Sequence, residues 1–139
     1  MAGNPAERPS APAIDIADDS FIAVPRAQVA AIIAESSRWV QWWPDLTVTV
    51  YQDRGADGMR WLVSGEFVGS SEIWLEAHTH GVVVHYYLRV DPADPRGQVR
   101  VLPESPRGRR HLEAVRRTHT VRWKRTVWAL KDELETRTN

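Results

Sequence analysis

The sequence contains no cysteine, and only two of its 18 basic residues are lysines. The absence of cysteine excludes disulfide bridges, a thiol nucleophile and a zinc or iron–sulfur site with cysteine ligands. The two lysines, Lys124 and Lys131, leave little scope for Schiff-base chemistry. There is also no phosphate-binding glycine-rich loop and no Gly-x-Ser-x-Gly nucleophile motif. We therefore expect no cofactor. We also expect no metal, because His78, His80 and His85 are not surrounded by the carboxylate and histidine pattern of a known metal site.

Long apolar runs are also missing. No run approaches the roughly 20 residues that a membrane-spanning helix needs, and the polar segment 1–12 lacks the hydrophobic stretch of a signal peptide. We expect a cytoplasmic protein with no integral membrane segment. Residues 1–12 are predicted to be a disordered N-terminal tail. Residues 13–136 are predicted to form one ligand-binding domain, because a chain of 139 residues with 42% apolar content suffices for a single core.

Positive and negative charges balance overall but are separated along the chain. Residues 1–95 carry 6 basic and 13 acidic side chains, whereas residues 96–125 carry 10 basic and 2 acidic ones. The basic segment either packs against the acidic remainder or binds an anionic partner. A net charge of zero, without helix-turn-helix, RNP-type or zinc-finger spacing, does not fit a dedicated nucleic-acid-binding protein. We expect no nucleic-acid partner.

Period-two alternation of apolar and polar residues predicts an antiparallel sheet. A first strand begins near Ile14, and four more segments are separated by glycine-containing turns, as in a meander. Two short helices are predicted between the first and second strands: Pro25 suits the start of one, and Pro44 ends the other. The four later strands are predicted at residues 46–53, 59–67, 71–77 and 82–90, with one of the turns at residues 69–70.

The strongest periodic signal is an apolar stripe near the C-terminus, which predicts a long helix from about Pro106 to Glu135. A proline-rich loop over residues 91–107 precedes it. His119 is the one polar member of the stripe, and burying an imidazole without a partner costs about 1–3 kcal/mol, so we expect it to have a bonded partner. The stripe, spaced by three and four residues, consists of Leu112, Val115, His119, Trp123, Val127, Leu130 and Leu134.

This order of elements resembles the helix-grip fold of the START-like superfamily. Residues 21–29 (FIAVPRAQV) and 38–46 (RWVQWWPDL) are similar to the opening of its polyketide cyclase/dehydrase and lipid-transport group (SRPBCC), and residues 69–76 and 85–89 fit its middle strands. The resemblance covers residues 14–135. It implies an α+β fold in which a curved antiparallel sheet wraps around the long C-terminal helix. The group usually has seven strands; the sequence predicts five, or seven if residues 91–107 contain a further hairpin.

The resemblance also implies a cavity between the sheet and the long helix, which would bind or transport a hydrophobic small molecule such as a lipid or an aromatic polyketide. The tryptophans near it either contact this ligand or form a plug that closes the core. His119 is either a ligand anchor or a core histidine. The candidate ligand contacts are Trp39, Trp42, Trp43, Trp61, Trp74, Trp123, Val115 and Val127.

Two alternatives to ligand carriage are left open by the sequence. One is a polyketide cyclase or dehydratase in which His119, with Tyr86 or Glu72, moves protons. The other is a non-catalytic protein-interaction module that docks through the basic start of the long helix. At both ends of that helix the charges oppose its macrodipole, a pattern that would suit an acidic patch of the same chain, an anionic ligand or a second subunit in a homodimer.

Overall fold

The computed structural model describes residues 11–102 and 104–138, so residues 1–10 of the predicted tail lie outside the described residues. Its elements follow the predicted order: a strand, two short helices, four strands and a long helix. They are β1 (Ile14–Ile22), α1 (Arg26–Ile33), α2 (Ser36–Trp42), β2 (Thr47–Asp53), β3 (Gly58–Ser64), β4 (Phe67–His78), β5 (Gly81–Pro92) and α3 (Pro106–Thr138), with a short 3-10 turn at Gly55–Asp57.

The five strands form one antiparallel sheet in the order β1-β5-β4-β3-β2. The sheet is curved and α3 packs along its inner face, which confirms the predicted α+β helix-grip architecture. A helix of 33 residues is about 50 Å long, whereas the 12-residue strands β4 and β5 reach about 40 Å. In the described part of the chain, none of the helices combines the length and apolar character required to cross a bilayer.

Alternation along the strands separates a buried inner face from an outer face. On β5, every second residue from Val82 to Val90 is buried, and on β3 Met59, Trp61 and Val63 are buried. The predicted stripe of α3 meets this face, because Trp123, Val127, Leu130 and Leu134 are all buried. Helix α1 adds its own apolar face to the same core through Val29, Ile32 and Ile33.

The turn predicted at Gly69-Ser70 is wrong. Strand β4 runs through both residues, and the chain turns earlier, between Ser64 and Phe67. Gly69 pairs with Val90 of β5, and a Cβ atom built on it would lie 2.1 Å from the carbonyl oxygen of Arg89. The glycine is therefore needed for close approach of two strands rather than for a change of direction.

Residues 93–102 form a bridged turn rather than two further strands. Ala93 and Val99 form an isolated antiparallel bridge, and the amide of Arg100 donates to the carbonyl of Pro92 at 2.7 Å. Within residues 11–102 and 104–138, the sheet thus has five strands and not seven. The start of α3 is as predicted: the hydroxyl of Ser105 accepts a hydrogen bond from the amide of Gly108 at 3.0 Å.

Strand β2 is an edge strand with mostly exposed side chains. Its pairing with β3 shifts register between Val50 and Gln52, which places an extra residue, Tyr51, in the edge strand. Such a bulge bends and twists the strand locally.

Candidate functional site

An aromatic cluster occupies the space between the sheet and α3. Trp43, at the end of α2, donates its indole N–H to the hydroxyl of Tyr86 at 3.0 Å. Tyr86 stacks on Trp123 of α3, with ring centroids 3.9 Å apart and ring planes 9° from parallel. Through three buried rings, these contacts connect the short helix α2, the interior strand β5 and the long helix α3.

Three more tryptophans complete the aromatic cluster. Trp61 of β3 packs edge-on against Trp43 at 5.0 Å and against Trp39 at 5.5 Å between centroids. Trp42 lies edge-on to both Trp43 and Trp123, at 5.8 Å and 6.2 Å. Edge-to-face geometry at these distances is favourable packing for aromatic rings. Trp39, Trp42, Trp43, Trp61 and Trp123 therefore contact one another, as expected of a plug that closes the core.

Two indole N–H groups in the aromatic cluster, those of Trp61 and Trp123, are buried without a hydrogen-bond acceptor among the described residues. Leaving such a donor unpaired costs about 1–3 kcal/mol. Trp39 differs, because it is half-buried and donates to the carbonyl of Ile33 at 2.8 Å. Burial also raises the pKa of Tyr86 to about 12, so this hydroxyl stays protonated at neutral pH.

His119 is buried on the inner side of α3, one turn before Trp123. Its Nε2 lies 3.7 Å from a carboxylate oxygen of Asp45, too far for a hydrogen bond, so the expected bonded partner is not found among the described residues. Burial lowers the pKa of His119, and Asp45 opposes this shift. Phe67 meets the imidazole edge-on at 6.2 Å between centroids. The imidazole is therefore neutral at pH 7.

Glu72 and Trp74 lie on the outer face of the sheet, away from Tyr86. Glu72 is opposite Tyr87 in the β4–β5 register, whereas Tyr86 is opposite the inward-facing Ile73. The Glu72 carboxylate pairs with Arg60 and accepts a hydrogen bond from the indole of Trp74 at 2.6 Å. The structure therefore does not bring Glu72 together with Tyr86 and His119. An alternating strand does not by itself show which of its faces is buried, so the sequence left this undecided.

The cavities between sheet and helix lie at the start of α3, away from the aromatic cluster. Two of them share Pro92, Arg100, Leu102 and Leu112, and their volumes are about 280 Å³ and 610 Å³. None of the predicted ligand contacts lines either cavity; Val127 is fully buried, and Val115 packs half-buried against the core. The smaller cavity is also lined by Glu66, Phe67, Ala93 and His111, and the larger one by Ala11, Ala13, Asp91, Val99, Val101, Glu104, Gly108 and Arg109.

The sequence pattern pointed to only one wall of these cavities. Leu112 belongs to the predicted helical stripe and packs half-buried against the core. Arg100 and Leu102 lie in a segment without periodicity, so no pattern pointed to them. Their contribution depends on the bridged turn that folds residues 93–102 back over Pro92.

The charges on α3 find partners at one end of the helix. Glu133, near the C-terminus, accepts two hydrogen bonds from Arg38, at 3.0 Å and 2.8 Å. Glu135 pairs with Lys131 at 2.6 Å and accepts a hydrogen bond from the amide of Ala23. The acidic end is therefore satisfied within the chain. At the basic end, Arg107, Arg109 and Arg110 are exposed and form no ion pair with any described residue.

Among the residues that the structure describes, no group of three or more histidine, aspartate or glutamate side chains is close enough to hold a metal ion. His85 instead contacts two carboxylates on the outer face, Asp19 at 2.6 Å and Glu76 at 2.9 Å.

Solved structures with the same architecture exist at low sequence identity. A START superfamily protein from Mycobacterium smegmatis aligns with a TM-score of 0.56 and 12% identity, over 88% of this chain and 97% of that one. The Aha1 dimer from Colwellia psychrerythraea aligns with a TM-score of 0.54 and 11% identity, over 88% of this chain and 96% of that one. DR_A0006 from Deinococcus radiodurans aligns with a TM-score of 0.52 and 13% identity, over 81% of this chain and 95% of that one. This chain has a START-like helix-grip fold.

No protein-family model and no curated protein matches the sequence. The START-like assignment therefore concerns the fold, and the function has to be argued from the site itself.

Proposed function

We propose that this START-like protein binds a hydrophobic small molecule in the cavities around Leu112. The observation that carries the proposal is the larger cavity, whose volume of about 610 Å³ falls in the range of small-molecule sites. Its apolar lining comes from four different parts of the chain. Ala13 precedes β1, Pro92 ends β5, Leu102 is at the end of the bridged turn, and Leu112 is on α3.

The proposed position differs from the one that the family resemblance implied. The aromatic cluster fills the middle of the sheet–helix space with rings in mutual contact. A ligand of any size would have to displace those rings, whereas the cavities around Leu112 are already present. Apolar burial against Leu102 and Leu112 would supply affinity, and the polar groups of Arg100 and Arg109 would orient the ligand.

The enzyme alternative, a cyclase or dehydratase using His119, Tyr86 and Glu72, has weaker support. Glu72 faces away from the other two residues, and the Tyr86 hydroxyl is buried and engaged by Trp43. His119 approaches the smaller cavity only through Phe67, which lines that cavity and contacts the imidazole. A general base must reach the proton that it removes, and Phe67 stands between His119 and the cavity.

A neutral apolar dye tests the proposed site without involving charge. N-phenylnaphthylamine should bind saturably, with an increase in emission. Leu112→Trp should weaken this binding about tenfold, because the larger side chain fills space in both cavities. Leu62→Trp is the matched control, since Leu62 is half-exposed on the outer face of β3. Absence of saturable binding, or equal affinity of Leu112→Trp and wild type, would contradict the proposal.

Co-purification identifies the natural ligand. Native mass spectrometry of the protein isolated from its own host should show an additional apolar mass that is absent from the Leu112→Trp variant. Retention of the same mass in both proteins would place the ligand elsewhere. Transport would be tested separately, by transfer of the identified ligand between vesicles.

A further inference from the structure

We infer that the segment beside the larger cavity docks on an anionic lipid bilayer. This inference concerns a surface, and it goes beyond the proposed binding of a small molecule. The surface, which we call the entrance patch, combines two exposed valines with five exposed arginines: Val99, Val101, Arg96, Arg100, Arg107, Arg109 and Arg110.

The valines lie on the returning arm of the bridged turn, where Val99 pairs with Ala93. Val101 is 89% exposed and Val99 is 54% exposed, and both also line the larger cavity. Scattered exposed valines are ordinary on protein surfaces. These two, however, are separated only by Arg100, and both line the larger cavity. The apolar wall of that cavity continues through Leu102 to Leu112. The apolar surface is therefore continuous from solvent to the cavity.

Two of the five arginines of the entrance patch, Arg100 and Arg109, line the larger cavity together with the valines. Residues 96–117 contain seven arginines and only two acidic residues, Glu104 and Glu113. Among the described residues, none of the five arginines of the entrance patch forms an ion pair. This contrasts with Arg38 and Arg122, which are paired with Glu133 and Asp45.

An anionic bilayer matches both properties of the entrance patch. Arginines near such a surface are attracted by its negative potential, while exposed apolar side chains such as these valines enter the boundary between headgroups and acyl chains. A nucleic acid would satisfy the arginines but would leave the valines facing phosphates and water. The bilayer is therefore the partner that the combination of charge and apolar exposure favours.

The absence of cysteine allows a direct test on this 139-residue chain. Val101→Cys provides a single site for an environment-sensitive nitrobenzoxadiazole dye, and Val40→Cys provides a control, because Val40 is 70% exposed on α2. With vesicles of equal parts phosphatidylcholine and phosphatidylglycerol, the dye at position 101 should shift its emission to the blue. The dye at position 40 should not respond, and the shift should disappear with pure phosphatidylcholine or at high salt.

Vesicle flotation of unlabelled variants separates the two contributions. Arg107→Gln and Arg110→Gln should each weaken binding about fivefold, whereas Arg26→Gln, outside the entrance patch, should leave it unchanged. Val101→Asp should weaken binding about tenfold, and Val40→Asp should not. Circular dichroism and thermal unfolding of each variant confirm that the fold is intact.

Three results would overturn the inference. The protein could fail to bind the anionic vesicles at low salt, or bind them while the dye at position 101 stays in water. It could also bind a DNA duplex or polyglutamate with the same dye response and ignore the vesicles, which would make the entrance patch a surface for a soluble polyanion. The N-phenylnaphthylamine experiment uses no vesicles, so failure of the proposed function is seen independently.

Discussion

The ring of Trp123 stacks on the ring of Tyr86, with centroids 3.9 Å apart. This contact joins the middle of α3 to β5, an interior strand of the sheet. Trp43, at the end of α2, adds a hydrogen bond to the same site by donating to the Tyr86 hydroxyl. The helix is thus held against the sheet by aromatic packing at the position where a cavity was expected on sequence grounds. The first test of these rings is therefore how much their removal lowers the free energy of unfolding.

Trp123→Ala should lower the free energy of unfolding by about 3–5 kcal/mol, because it removes a buried ring that contacts Tyr86 and Trp42. Trp128→Ala is the matched control on the same helix. Trp128 is 57% exposed, so its replacement should change stability by about 0.5 kcal/mol or less. Urea denaturation followed by circular dichroism measures both. Equal effects of the two substitutions would show that the stack is not a main support of the fold.

Arg38 and Glu133 should be energetically coupled. Their two hydrogen bonds are bidentate, and both side chains are largely shielded from solvent, so a double-mutant cycle with Arg38→Gln and Glu133→Gln should give about 1 kcal/mol. The interaction with Arg38 lowers the pKa of Glu133 below its ordinary 4.5. The stabilisation is therefore present above pH 4.5 and is lost as the pH falls through the lower folded value. A coupling that persists at acid pH would contradict this account.

His85 should make the sheet less stable at alkaline pH. Its hydrogen bonds to Glu76 and Asp19 raise the pKa of His85 above 6.5, against the effect of burial. The protonated form therefore stabilises the folded state fully below pH 6.5, and this contribution disappears as the pH rises through the raised value. In wild type, the urea concentration at the unfolding midpoint should decline as the pH rises above 6.5. His85→Gln should reduce this decline, whereas His80→Gln, a control in an exposed turn, should leave the decline unchanged. Identical pH profiles for wild type and His85→Gln would refute the assignment.

His119 should show the opposite dependence in the same pH range. Burial lowers its pKa below 6.5, so the unfolded chain takes up a proton before the folded protein does, and stability falls as the pH falls below 6.5. Proton NMR of the imidazoles should show His119 titrating below 6.5 and His85 above it, with each signal assigned by the corresponding glutamine variant. A His119 midpoint at or above 6.5 would mean that the imidazole is solvated or bonded to Asp45.

The fold was predictable because its periodic signals are long. The stripe from Leu112 to Leu134 repeats over several helical turns, and the alternation in β5 repeats over nine residues, so the sequence indicates a helix and a strand there; in the structure, one face of each is buried. The site was less accessible. Neither Glu72 nor Trp74 could be placed, because an alternating strand does not reveal which face is covered. The cavity walls at Arg100 and Leu102 depend on the bridged turn, in which the amide of Arg100 donates to the carbonyl of Pro92. The pairing of Arg38 with Glu133, 95 positions apart, likewise leaves no local pattern.

The register shift in β2 affects the tendency of this protein to aggregate at high concentration. An outermost strand rich in threonine and valine is a template on which a foreign strand could assemble. The irregularity at Tyr51 interrupts that template half-way, so an incoming strand could match only a few residues before losing alignment. A substitution or deletion that straightened this edge would be expected to promote fibrillar growth before it affected the interior.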